Sequence, residues 1–131
     1  MMVDTPHTPA AVGPARVLIV DDEEVIRELL AEFLGAQGMD VTLAGSAEQG
    51  LELCKQQQFQ AILVDYGLPG MNGLDFCRRM AATGSRARLA LMTGWGSMEA
   101  AEKEPSLSRI IAKPFDLMTM LATVQELTAP A

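Results

Sequence analysis

The chain has 131 residues, 49% of them hydrophobic and 21% charged, with a formal net charge of -7, a composition that suits one soluble globular domain with a full core. The acidic balance excludes a nucleic-acid footprint, which needs a basic face, and no apolar run approaches the ~20 residues that cross a bilayer, so no membrane insertion is expected. A lone histidine, His7, and two cysteines, Cys54 and Cys77, without metal-ligand spacing exclude histidine-based catalysis and a thiolate metal site; both thiols are expected to be buried and reduced, as in a cytoplasmic protein.

The first fifteen residues, MMVDTPHTPAAVGPA, lack the basic start and apolar core of a secretory signal. They read as a flexible N-terminal leader over 1–15, with a single domain over 16–131. Arg16 to Val20 (RVLIV) is a continuous apolar run suited to a buried central strand. Glu23 to Gln37 carries Val25, Ile26, Leu29, Leu30, Phe33 and Leu34 at helical spacing, and Gly38 follows as a stop. Asp40 to Leu43 is a brief second strand. Ser46 then caps a helix in a capping-box pattern with Gln49. Ala61 to Val64 is the third strand, followed by a GLPGMNG loop and a helix with Leu74, Cys77 and Met80 on one face. Arg88 to Met92 is the fourth strand. A weaker helix is expected from about Ser97 to Lys103, ended by Pro105. Arg109 to Ala112 is the fifth strand, and Asp116 caps a last helix containing Leu117, Met120, Leu121, Val124 and Leu127. Strands and helices alternate throughout, so the expected fold is α/β: a doubly wound five-stranded parallel sheet with helices on both faces. The leader and the short LTAPA tail suggest a stand-alone protein.

Ligands of such sheets bind where loops leave the carboxyl ends of the strands. Asp21, Asp22, Glu23 and Glu24 follow the first strand, Asp65 the third, Thr93 the fourth and Lys113 the fifth. Singly, most have an ordinary reading: Asp22 or Glu23 as a helix-start acid, Thr93 as a turn former, Lys113 as a solvated charge. Asp65 resists one, because it follows an apolar strand directly. Together they place acids, a hydroxyl and an ammonium on one edge. Two carboxylates ~4 Å apart repel by about 4 kcal/mol at an effective dielectric near 20. Lys113 offsets part of this, and Mg²⁺ would offset the rest. A carboxylate beside Mg²⁺ can attack phosphorus to give an acyl phosphate, with Lys113 and Thr93 stabilising the transferring oxygens.

Four segments, VDDEE at 20–24, VDYGLPGMNG at 64–73, MTG at 92–94 and KPF at 113–115, resemble the receiver domain of two-component response regulators from about Arg16 to Leu127. The resemblance implies a flavodoxin-like receiver fold and makes Asp65 the phosphoacceptor. It places Mg²⁺ on Asp22, Asp65 and the Gly67 carbonyl, with Asp21 acting partly through water. It makes Thr93 the switch hydroxyl, Lys113 the phosphoryl contact, and the Lys113–Pro114 bond cis. The implied partners are a sensor histidine kinase or histidine phosphotransfer protein as donor and an unknown downstream protein; a homodimer is also compatible. The chain is then a signalling module and not an enzyme. It departs from the family at Ile110, where a Tyr or Phe is usual, and in the short EKEPSLSR segment (102–109), which replaces the customary Gly-Ala-Asp turn.

Two other readings compete. A flavodoxin-like cofactor binder would need a Gly- or Ser/Thr-rich phosphate loop after the first strand, and DDEE stands there instead. A pseudo-receiver that binds partners without phosphotransfer would not require the full set of acceptor-site residues found here.

Overall fold

The five apolar runs form a single parallel sheet. Strands β1 (Arg16–Val20), β2 (Asp40–Ala44), β3 (Ala61–Asp65), β4 (Arg88–Thr93) and β5 (Arg109–Ala112) lie in the order β2-β1-β3-β4-β5. Helices α1 (Glu24–Ala36), α2 (Ala47–Gln56), α3 (Gly73–Ala82), α4 (Met98–Glu102) and α5 (Leu117–Thr128) connect and follow them. The computed structural model describes residues 13–130; His7 and residues 1–12 of the expected leader lie outside the described residues.

The strands are continuously apolar because both faces of the sheet are covered. Successive side chains point to opposite faces, so each strand feeds two cores. Val17, Ile19, Ala61, Leu63, Ala90 and Met92 pack with Leu30, Leu34, Met120 and Val124 of α1 and α5. Leu18, Val20, Ile62, Val64 and Leu91 pack with Ala47, Phe76, Cys77 and Met80 of α2 and α3. Burying each large aliphatic side chain contributes about 1.5–3 kcal/mol, and β3, buried along its whole length, is the centre of both layers.

Local chemistry sets the boundaries. Gly38 follows α1 with φ +90°, a conformation glycine adopts without a Cβ penalty. Ser46, Asn72 and Asp116 cap α2, α3 and α5 by accepting hydrogen bonds from the amides of Gln49, Asp75 and Thr119. The expected capping box is displaced by one residue, since the Gln49 carboxamide accepts from the Gly45 amide and not from Ser46.

Three expectations need correction. The β2, β3 and β4 strands each run one residue further, taking in Ala44, Asp65 and Thr93, because all three still pair across the sheet. The weak fourth helix is only Met98–Glu102, preceded by a 3₁₀ turn at Trp95–Ser97; residue 103 is already its C-cap. Cys54 is half-buried where Cys77 is buried, and both thiols are free. The reason is a cleft of about 860 Å³ between the ends of α2 and α3, lined by Leu51, Cys54, Phe59, Met80 and Arg86 among others, which leaves the α2 thiol open on one side. Among the described residues no helix is long and apolar enough to cross a membrane.

Candidate functional site

Parallel register brings four strand ends to one edge. Val20 pairs with Val64, Asp65 with Met92, and Thr93 with Ala112. The backbone pairing continues past the strands, with Asp21 N donating to Ala44 O at 3.1 Å, Tyr66 N to Met92 O at 2.9 Å and Lys113 N to Thr93 O at 2.9 Å. The residues that follow the apolar runs are therefore held by main-chain bonds as firmly as the strands themselves. Among the described residues, Asp21, Asp65 and Thr93 are the buried polar ones, at 0%, 6% and 1% exposure.

The carboxylates of Asp21, Asp22 and Asp65 each offer an oxygen within 4.8 Å of the others, and Asp22 is the exposed member. The Lys113 ammonium donates to Asp65 Oδ1 at 2.5 Å, a charge-assisted bond. Asp21 Oδ1 accepts from the Glu23 amide at 2.8 Å. Asp21 Oδ2 is buried and has no hydrogen-bond partner among the described residues, an arrangement that costs on the order of 1–3 kcal/mol or more for a charged group.

Electrostatics follow from this crowding. Burial pushes the Asp21 carboxyl above its ordinary range; the Glu23 amide opposes the shift and the Asp65 charge adds to it. Burial alone would lower the Lys113 ammonium, but its bond to Asp65 and the nearby Asp21 and Glu23 charges outweigh that and raise it. Three carboxylates against one ammonium leave a local excess of negative charge. An orphaned buried oxygen beside two further carboxylate oxygens is a hard-oxygen donor set that fits Mg²⁺.

The loop after β3 is shaped around Asp65. A Cβ on Gly73 would lie 2.4 Å from the Asp65 carbonyl oxygen and 2.7 Å from Leu91 Cδ1, so only glycine lets α3 begin against the end of β3. A Cβ on Gly67 would lie 3.6 Å from Asp65 Oδ2, which places that backbone beside the free carboxylate oxygen. Gly70 turns the loop with φ +77°. The Lys113–Pro114 bond is cis, as the resemblance implied.

All six residues expected at the site, Asp21, Asp22, Asp65, Gly67, Thr93 and Lys113, thus lie at this edge. Asp21, Asp22, Asp65 and Lys113 form one side-chain cluster with Gly67 beside it. Thr93 is held apart: its hydroxyl is bonded to Ser97, not to the carboxylates. Sequence reasoning missed Ser97 and also Arg27, whose guanidinium donates to the Asp21 carbonyl at 2.7 Å. Spacing offered a faint signal for each: Ser97 lies one turn beyond Thr93, and Arg27 one turn beyond Glu23, to whose carbonyl its amide donates.

The segment that departs from the family is well bonded. Glu104 accepts from Arg78 Nε at 2.8 Å and from the amide and hydroxyl of Ser106 at 3.2 and 2.7 Å, tying the α4–β5 connection to α3. Ile110 is half-buried and packs with Leu107 against the α2/α3 core.

Comparison with known proteins agrees with this geometry. The family model described as the response regulator receiver domain matches residues 17–125. Sporulation initiation phosphotransferase F of Bacillus subtilis is 31% identical over 104 residues, covering 78% of this chain and 84% of its own. Response regulator MprA of Mycolicibacterium vanbaalenii is 30% identical over 116 residues, 87% of this chain and 50% of its own; this chain spans about half of that relative. Among solved structures, chemotaxis protein CheY4 of Vibrio cholerae superposes with a TM-score of 0.81 at 25% identity, covering 88% of this chain and 99% of that one. Response regulator protein TrrA of Thermotoga maritima, in complex with Mg(2+)-BeF, gives 0.79 at 26% identity over 86% and 98%.

Proposed function

The chain belongs to the response regulator receiver family, and from that premise we propose that it accepts a phosphoryl group on Asp65 from a phosphohistidine of a sensor histidine kinase or histidine phosphotransfer protein. The observation that carries this reading is the Asp65 carboxylate, nearly buried, held through Oδ1 by Lys113 and left with Oδ2 beside the Gly67 backbone. In the reaction, an Asp65 oxygen forms a bond to phosphorus as the phosphorus–nitrogen bond of the donor breaks, and the electron pair leaves with the imidazole. The product is an acyl phosphate.

The residues divide the work. Lys113 orients the nucleophile through Oδ1 and balances charge on the transferring oxygens. Thr93, one strand away, supplies a hydroxyl that can donate to one of those oxygens. Mg²⁺ would be held by Asp22, Asp65 and the Gly67 carbonyl, with Asp21 acting partly through water, and would supply charge neutralisation for the phosphoryl oxygens. A relative named as a phosphotransferase and a structural neighbour bound to Mg(2+)-BeF support this assignment. Signal output then passes by protein contacts to a downstream partner.

The test is direct. With Mg²⁺ and acetyl phosphate, mass spectrometry should show a single added phosphoryl group that maps to Asp65 and is absent in Asp65→Asn. A label on Asp21, Asp22 or a hydroxyl residue would overturn the assignment.

A further inference from the structure

Ser97 stands at the N-cap of α4, where a serine ordinarily accepts a hydrogen bond from a first-turn amide. Ser46, Asn72 and Asp116 do this for α2, α3 and α5. Ser97 makes no such bond, and its backbone, at φ -119° and ψ 5°, lacks the extended conformation of the other three caps. Its hydroxyl is committed instead to the Thr93 hydroxyl, whose other contact of this kind among the described residues is a long one to the Gly94 carbonyl at 3.4 Å. The first-turn amides of α4 have no partner within their helix, and its five residues are anchored mainly by Ala101, buried in the α2/α3 core, and by the 3₁₀ turn that precedes them.

The Ser97 hydroxyl therefore has two competing uses, and the second requires its ψ to swing from 5° toward the extended value of the other caps. We propose that Ser97 is a positioning residue for Thr93: it holds the switch hydroxyl in the unmodified chain and turns to cap α4 when Thr93 is drawn away. The second half rests on the phosphoacceptor reading, in which a phosphoryl oxygen on Asp65 competes for the Thr93 proton. That competition favours the anion, since a hydrogen bond to a charged acceptor is roughly twice as strong as one between neutral groups. Losing Thr93 leaves the Ser97 oxygen without its partner, and the amides of Glu99 and Ala100 are the donors an N-cap serine reaches. The acceptor site is thereby linked to the order of α4 through one hydroxyl, with no need for the aromatic residue that Ile110 replaces.

Amide exchange followed by NMR on the full chain tests this without any phosphorylation. Thr93→Val keeps the side-chain shape but removes the hydroxyl, so Ser97 is freed; exchange at Glu99 or Ala100 should slow by about fivefold, the effect of one N-cap. Thr93→Ala serves the same purpose if the valine variant does not fold. Adding Ser97→Ala should erase the gain, Ser97→Ala alone should leave these amides as they were, and Ser97→Thr with Thr93→Val should restore the slowing. Unchanged exchange in the Thr93 variants, or slowing that survives Ser97→Ala, would overturn the proposal. Beryllofluoride with Mg²⁺ should slow the same amides in the parent chain and not in Ser97→Ala. If beryllofluoride perturbs nothing near Asp65 in either protein, the acceptor assignment fails, while the substitution cycle still decides the role of Ser97.

Discussion

Asp21 and Glu104 are acids drawn out of water at two corners of the domain, and their surroundings treat them in opposite ways. Asp21 is fully buried, keeps one oxygen without a partner and faces two further carboxylates, and its pKa is pushed up by burial. Glu104, with its side chain 8% exposed, is met by Ser106 and Arg78, and the Ser106 hydroxyl, followed by Arg78, holds its carboxyl below the ordinary range despite burial. One corner stores repulsion that a cation can relieve; the other uses the same functional group as a clasp. Satisfied acids stabilise a fold, and unsatisfied ones in a cluster mark where a ligand belongs.

The contrast can be broken most forcefully at the loop beside Asp65. Gly73→Ala puts a Cβ into the Asp65 carbonyl and Leu91, and overpacking of this kind costs about 3 kcal/mol at the upper end of its usual range. Urea denaturation should show that loss together with slower phosphoryl labelling; a variant as stable as the parent would mean that the loop is looser than it looks.

Metal response should come next in size. Mg²⁺ at a hundred times its dissociation constant adds about 2.7 kcal/mol to a folded state that alone binds it, so the melting temperature should rise on titration. Asp22→Ala should abolish the rise while leaving the metal-free protein no less stable, because it removes a repelling charge. A rise that persists in the variant would place the ion elsewhere.

Glu104→Gln probes the clasp and should cost about 1–2 kcal/mol at neutral pH, the loss of hydrogen bonds to a charged acceptor. The sign with pH follows from its lowered pKa. The folded state binds the Glu104 proton less readily than the unfolded chain, so the stabilisation is present above the ordinary value of 4.5 and fades as pH falls below it. The gap between parent and variant, measured by denaturation from pH 7 to 3, should narrow on the acid side; a constant gap would show that packing and not charge is responsible.

The smallest effect belongs to the neighbouring thiol. Burial, helped by the Glu104 charge and opposed by Arg78, pushes Cys77 up to about 12. At pH 8 a maleimide should label Cys54 first and Cys77 only on unfolding. Because burial is the larger cause, Glu104→Gln should leave this order intact.

Much of this was legible in advance, for physical reasons that differ by element. Buried strands such as Ala61–Val64 are readable because covering both faces demands an unbroken apolar run. Asp21, Asp65, Thr93 and Lys113 could be placed together because parallel register carries every strand end to one edge. The caps at Ser46 and Asp116 were visible as residue types before helical runs. Asn72 was not, since the glycine after it reads as loop, and its need arises from the contact with Asp65. Arg27, Ser97 and the Glu104–Arg78 clasp depend on which elements meet in space, information that no local pattern carries. Cys54 looked buried because the cleft beside it is a property of two helix ends, not of either helix.

One consequence of the strand order concerns how the chain is made. Asp21, Asp22 and Asp65 are contributed by β1 and β3, whereas the ammonium that tempers them arrives only with Lys113, after β5 has docked against β4. A nascent chain released as far as β4 carries the acids without the Lys113 ammonium, so β5, the last of this sheet's strands in chain order, completes both the sheet and the charge balance. Its two edges then mature at different times, β2 with the first half of the chain and β5 with the last.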